Sequence, residues 1–173
     1  TVRILPPPPF SKEGHQAYQN REVAVAEKPQ DALLRNYLAE MQQAKADVVA
    51  IYSRGLEYLT QGRFEASDKD MGEAYKLGLK VPEVRANRDY VQFMTNTPFS
   101  KEGHQSYQNL EAAVAEKPQD ALLRTYLAEM QQARADVVAI YFRGLEYLTQ
   151  GRFEDAKKDI DEAYKLGLKV HEV

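Results

Sequence analysis

The chain contains no cysteine, and this absence removes several kinds of chemistry at once. Disulfide bridges, thiol nucleophiles and cysteine-ligated zinc sites are excluded, although cytoplasm and periplasm are not distinguished. Long apolar runs are also missing, because no stretch approaches the roughly 20 residues that a membrane-spanning helix needs. We therefore expect a soluble chain without membrane insertion, in an unknown compartment.

Charge of one sign is equally scarce. The net charge is −3, from 23 basic and 26 acidic side chains, and the basic residues form no block. Since proteins that bind nucleic acids concentrate lysine and arginine on one surface, the sequence argues against nucleic acid as a partner.

Patterns for catalysis and for metal binding are absent as well. The only histidines are His15, His104 and His171. The sequence has no His-Glu-x-x-His motif, no acidic calcium loop and no glycine-rich phosphate loop. One acidic stretch interleaves with lysines, for example at Asp161 and Lys165, which is typical of a solvent-exposed helix face. We predict that the protein is not an enzyme and uses no cofactor or metal.

What the sequence does contain is a long internal repeat. Phe10 to Val84 aligns with Phe99 to Val173 at a constant shift of 89, and twelve of the 75 pairs differ. Such a period indicates two copies of one structural unit. We predict a proline-rich extended arm over 1–9, a helical repeat unit over 10–84, a helical connector over 85–98 and a second unit over 99–173. The second copy stops where the first runs on, which favours a fragment of a longer array.

Each copy is predicted to be helical throughout, because strand-like alternation and β-branched runs are missing. Ser100 is the expected N-cap of the first helix and Gly151 the expected C-terminal glycine of the third. In the second copy we predict four helices, over Lys101 to Glu116, over Asp120 or Pro118 to Ala133, from an N-cap at Asp136 to Gln150, and over Phe153 to Leu166. A short connecting helix is predicted near Glu83 to Met94.

One helix boundary stays open. Between Ala121 and Gln150 there is no proline, and apolar residues keep a three-to-four spacing throughout. We favour a short turn near Arg134 to Asp136. The alternative is one fused helix of about 30 residues, roughly 45 Å long. Both interpretations make the fold class all-α.

The last two predicted helices of each copy resemble a tetratricopeptide repeat. Small residues at fixed offsets let two antiparallel helices approach, and large residues fill the space beside them. The matching residues of the second copy are Gly144, Tyr147, Gly151, Phe153, Ala156, Ile160 and Ala163. Those of the first copy are Gly55, Tyr58, Gly62, Phe64, Met71 and Ala74.

This resemblance implies tandem helical-hairpin units that form a short solenoid with a concave groove. It implies a non-catalytic protein–protein interaction module, a scaffold or adaptor fragment that binds an apolar helix or extended segment of a partner protein or peptide. The groove residues that it implies are Val49, Tyr52, Leu56, Leu59 and Thr60 in the first copy and Val138, Tyr141, Leu145, Leu148 and Thr149 in the second. Lysine and asparagine, which grip a carboxylate in one variant of the family, are replaced here by tyrosine and leucine, so we do not expect capture of an acidic chain terminus.

Other interpretations remain open. In one interpretation, the implied groove residues are covered by the second helix of the same copy or by the other copy. For function, the alternative is a structural self-assembling repeat, as a domain-swapped dimer or homo-oligomeric array, and an engineered duplication is a further one. Two of the differing pairs make the second copy more apolar, with Leu110 in place of Arg21 and Phe142 in place of Ser53. We hypothesise that Leu110 and Phe142 contact the preceding unit.

Overall fold

The computed structural model describes residues 6–169, and within that range all regular secondary structure is helical. The helices are α1 (Lys12–Glu27), α2 (Ala32–Thr60), α3 (Phe64–Lys76), α4 (Pro82–Thr95), α5 (Lys101–Glu116), α6 (Ala121–Thr149) and α7 (Phe153–Lys165). The all-α prediction is therefore confirmed, as is the connecting helix. The expected start of the proline arm and His171 lie outside the described residues.

The chain divides into two compact units, Thr1–Arg85 and Ala86–Val173. The first contains α1 to α3, and the second contains α5 to α7 together with most of α4. Most of the predicted connector over 85–98 thus falls within the second compact unit. Pro82 is the first residue of α4, where the missing amide donor costs no helical hydrogen bond.

Helix ends follow the capping signals of the sequence. The Ser100 hydroxyl oxygen accepts a hydrogen bond from the Gly103 amide at 3.1 Å, and the Asp120 carboxylate accepts one from the Leu123 amide at 3.2 Å. Gly151 follows α6 with φ of 71°, a left-handed conformation that favours glycine. The first unit repeats these three features at equivalent positions, so the two copies begin and end their helices alike.

The predicted turn near Arg134 to Asp136 is wrong, because α6 runs unbroken for 29 residues. Asp136 does not cap a helix; its carboxylate instead accepts a hydrogen bond from Gln132 Nε2 at 2.8 Å, one helical turn away. With neither proline nor glycine at this point, the backbone meets no cause to break. Each copy therefore has three helices and not four, and the long one measures about 43 Å.

Two short helices cover the long one in each unit. In the first, contacts between Arg21 and Tyr37 place α1 on the N-terminal half of α2, and Asp70 and Arg54 place α3 on its C-terminal half. The Phe10 amide donates to the Leu77 carbonyl at 3.1 Å, so α1 begins where α3 ends. The two short helices, of 16 and 13 residues, together match the 29 residues of α2. The second unit repeats this layout.

A glycine allows the C-terminal pair of helices to approach closely. A Cβ atom on Gly144 would lie 2.9 Å from Ile160 Cγ1 and 3.2 Å from Asp159 Cβ, so only hydrogen fits there. Ala156, on the facing side of α7, is fully buried. The expected close approach is thus confirmed. The expectation that Phe153 fills the space beside it is wrong, because this side chain is 69% exposed at the start of α7.

An ion pair joins the same two helices. The Arg143 guanidinium donates two hydrogen bonds to the buried Asp159 carboxylate, at 2.7 and 2.8 Å, and Arg54 and Asp70 repeat this pair in the first unit. The hydrogen bonds from Arg143 hold the pKa of Asp159 below its ordinary value, against the opposite effect of burial. Because the folded-state pKa is depressed, the stabilisation is complete above the unfolded pKa of about 4 and is lost as the pH falls through the lower, folded value.

The ion pair predicts an acid-dependent stability. Asp159→Asn should lower the melting temperature at pH 7 and make it depend less steeply on pH below about 4, because the substituted side chain no longer titrates. Asp161→Asn is the matched control, since its exposed pair with Lys157 contributes little. Thermal unfolding followed by circular dichroism from pH 7 to pH 2 measures both. Identical pH profiles for the wild type and Asp159→Asn would contradict the assignment.

The glycine contact predicts a difference between the copies. At Gly55, the nearest atom to an added Cβ is Met71 Cγ at 3.1 Å, and a methionine side chain adapts easily. At Gly144 the added methyl group meets the branched Ile160 instead. Both alanines gain helix propensity, but overpacking costs about 1–3 kcal/mol, so Gly144→Ala should be less stable than Gly55→Ala by about 1 kcal/mol. Urea unfolding of the two variants tests this order, and the reverse order would refute it.

Candidate protein-interaction surfaces

The residues predicted to bind a partner lie on the C-terminal halves of the long helices. We call Val49, Tyr52, Leu56, Leu59 and Thr60 the α2 row, and Val138, Tyr141, Leu145, Leu148 and Thr149 the α6 row. None of the ten is buried: Val49, Thr60, Leu148 and Thr149 are exposed, and the other six are half-buried. The covering helix of each unit therefore does not close either row.

The position of each row follows from helix geometry. Val137 and Gly144, seven residues apart on one face of α6, are both buried. We call this face the seam; at Gly144 it lies against Ile160 of α7. Val138 and Leu145 each follow one residue later, so they point about 100° away from the seam. Each row is thus an apolar strip along the edge of a packed helix pair.

Phe142 widens the α6 row. Its ring lies 5.8 Å from that of Tyr141 and is 61% exposed. The counterpart on α2 is Ser53, so the α6 row is the more apolar of the two. Of the two residues hypothesised to contact the preceding unit, Leu110 is fully buried and Phe142 is exposed. The hypothesis itself stays a prediction.

A second surface, which sequence reasoning missed, is a groove between α1 and α2. It encloses about 480 Å³ and is lined mainly by apolar atoms. Pro6 to Pro9 form one wall, and Tyr18, Arg21, Tyr37 and Glu40 lie along the two helices. We call this feature, including Met41 on its floor, the first-unit groove.

In the second unit, the same position holds helix α4. The Tyr90 ring stacks on Tyr126 with centroids 4.1 Å apart and planes 11° apart, and its hydroxyl donates a hydrogen bond to the Glu129 carboxylate. The Phe93 ring lies 6.5 Å from that of Tyr107. At the shift of 89, the counterparts of Tyr126, Glu129 and Tyr107 are the groove residues Tyr37, Glu40 and Tyr18.

The two grooves differ in how deeply their lining helices α1 and α5 are buried. Gly103, Ser106 and Leu110 of α5 are buried, whereas α1 has no buried residue at all. Tyr90 is buried too, and this desolvation, followed by the hydrogen bond to Glu129, raises its pKa. The α4 helix thus forms part of the core of the second unit.

Arg21 marks the same position in the first unit. It replaces the fully buried Leu110, and its guanidinium lies 5.0 Å from the centre of the exposed Tyr37 ring. In the second unit the counterpart of that ring, Tyr126, stacks against the ring of Tyr90. The Arg21/Leu110 difference and the apolar face of the connector were the two signals in the sequence from which the groove could have been inferred.

Histidine and acidic side chains within residues 6–169 form no metal-binding cluster. His15 and His104 are exposed on α1 and α5, and that range contains no group of three or more acidic or histidine side chains placed to hold a metal ion. No helix in the described part of the chain has the length and apolar character needed to cross a membrane.

Comparison with known proteins gives no family: no family model, curated protein or solved structure matches the chain. The resemblance to tetratricopeptide repeats therefore stays a prediction from the residues named above, and the unbroken α2 and α6 depart from the separate hairpin helices that it implies.

The two grooves predict responses of different size to truncation. Leu110→Ala should lower the free energy of unfolding by about 2–5 kcal/mol, because Leu110 is fully buried and the change opens a cavity in the core of the second unit. Arg21→Ala, at the equivalent position, should change it by less than about 1 kcal/mol, because Arg21 is half-buried and makes only a cation–π contact. Denaturant unfolding measures both, and equal losses would show that the two positions are packed alike.

Proposed function

We propose that the chain is a non-catalytic protein–protein interaction module, a tetratricopeptide-like scaffold or adaptor arranged as a short solenoid. In this proposal the α2 row and the α6 row bind an apolar helix or extended segment of a partner. The observation that carries it is that the ten row residues, eight of them apolar or aromatic, remain unburied in both units.

The chemistry of the rows suits an apolar ligand. Leucine, valine and tyrosine supply apolar contact area. A helix that docks on such a strip removes this area from water, which contributes a favourable free energy of about 25 cal/mol per Å² buried. Each row lies on a long helix that the Arg54–Asp70 or Arg143–Asp159 pair fixes to its neighbour. A rigid surface loses little conformational entropy on binding, which favours affinity.

The charges beside the rows do not favour an acidic ligand. Arg54 and Arg143 are the arginines of the C-terminal halves, and each already donates two hydrogen bonds to an aspartate. The rows themselves contain no lysine or arginine. Apolar burial is therefore the main attractive term that the rows offer.

Peptide display tests the proposal. We expect a displayed library of amphipathic helical peptides to yield binders whose affinity falls at least about tenfold on Leu145→Glu, because a carboxylate then faces the apolar peptide. Leu56→Glu is the matched change in the α2 row, and Glu146→Ala, at an exposed position of α6 outside the row, is the control. Affinities come from calorimetry, with circular dichroism to show that the fold is retained.

The same variants distinguish self-assembly from binding of a partner protein. Exposed Phe142, beside Tyr141, offers an apolar area that a second copy of the chain would also cover. Light scattering over a concentration series should show a monomer if the rows serve another protein. An oligomer that grows with concentration and disappears on Leu145→Glu would replace the proposed function with self-assembly.

A further inference from the structure

We propose that the first-unit groove binds, in trans, an amphipathic helix with the contact pattern of α4: an acidic residue, a tyrosine directly after it, and a phenylalanine three residues after the tyrosine. The second unit shows this occupant in the equivalent groove, as Asp89, Tyr90 and Phe93. The inference rests on the proposed function in treating the chain as a protein-binding module, but it concerns a different surface from the rows.

The first-unit groove keeps the groups that hold α4. Tyr37 offers a ring for stacking, with the Arg21 guanidinium 5.0 Å from its centre. Glu40 offers a carboxylate that can accept a hydrogen bond from a tyrosine hydroxyl, and Tyr18 offers the ring that a phenylalanine would contact. The methionine beneath them is also kept, since Met41 corresponds to Met130. Met130 is completely buried, whereas Met41 is only half-buried.

The backbone at the end of the groove is built in the same way in both units. The Ser11 hydroxyl donates to the Pro8 carbonyl at 2.7 Å, and Ser100 donates to Thr97 at 2.8 Å. Pro6 to Pro9 therefore take the place of residues 95–98, which in the second unit follow the phenylalanine of α4. The wall and both helices are thus present in the first unit, and the occupant is the part that differs.

Arg21 determines the charge of the helix that fits. In the second unit, Asn109 Nδ2 donates to the Asp89 carboxylate of α4 at 3.1 Å. The counterpart of Asn109 is Asn20, directly before Arg21. A carboxylate at the position of Asp89 would therefore meet both an amide donor and a guanidinium in the first unit, where the second unit has a leucine in place of the guanidinium. We infer that the first-unit groove prefers the acidic helix more strongly than the second-unit groove does.

Fluorescence anisotropy with a labelled peptide of residues 82–95 and the full chain tests the inference. We expect saturable binding that weakens at least about tenfold on Tyr37→Ala or when the peptide carries Phe93→Ala. Tyr126→Ala, the matched change in the second unit, should alter the affinity by less than about twofold. Absence of saturable binding, or sensitivity to Tyr126→Ala in place of Tyr37→Ala, would overturn the inference.

A double-mutant cycle tests the role of Arg21. The wild type should bind the unmodified peptide about threefold more tightly than the peptide with Asp89→Asn, as expected for an exposed charge pair, and Arg21→Leu should remove this preference. A preference that persists in Arg21→Leu would overturn the assignment. Removal of residues 1–5 should leave the affinity unchanged; a tenfold gain would assign the groove to the chain's own N-terminal segment and would also overturn it.

The row variants keep the two proposals apart. Leu56→Glu should leave binding of the α4 peptide unchanged while it weakens binding of the library peptides. If Leu56→Glu abolishes binding of the α4 peptide and Tyr37→Ala does not, the peptide sits on the α2 row, and the inference fails while the proposed function stands. If library peptides ignore both Leu56→Glu and Leu145→Glu while the α4 peptide responds to Tyr37→Ala, the proposed rows fail and the groove stands.

Discussion

In each unit, one unbroken 29-residue helix carries the packing surfaces for two shorter helices. Its C-terminal half is held by a glycine contact and a bidentate ion pair, both of which require close approach. Larger side chains hold its N-terminal half on the first short helix, and the space beside these side chains is the groove. This asymmetry places a half-exposed row at one end of the helix and a groove at the other.

The sequence predicts helix ends better than helix breaks. Ser100, Asp120 and Gly151 have local capping functions, so their roles could be inferred from neighbouring residues alone. Asp136 looks like another cap, but no proline or glycine stands beside it and the helix continues through it. The rows stay a prediction that the tetratricopeptide resemblance implies, and their members share one helix face because the implied positions follow the helical period. The groove depends on where α4 packs, which is tertiary information that no local pattern contains.

The two copies show how one substitution separates packing from an open site. Leu110 is fully buried in the second unit, where its apolar side chain needs no polar partner. In the first unit Arg21 keeps its charge near solvent and lies over Tyr37. The same helix pair therefore serves as core in one unit and as surface in the other, although the rest of the lining is nearly the same.

This contrast bears on how a duplicated unit acquires binding capacity. A groove that already holds a helix within its own chain has the shape and the hydrogen-bond acceptor that such a helix needs, so an unfilled copy is preorganised for the same ligand. The rows differ in another way, because Phe142 adds apolar area to one and Ser53 does not add it to the other. Near-identical copies thus present surfaces of the same geometry that differ in apolar area. The few differing residues decide which surface is filled and which stays accessible.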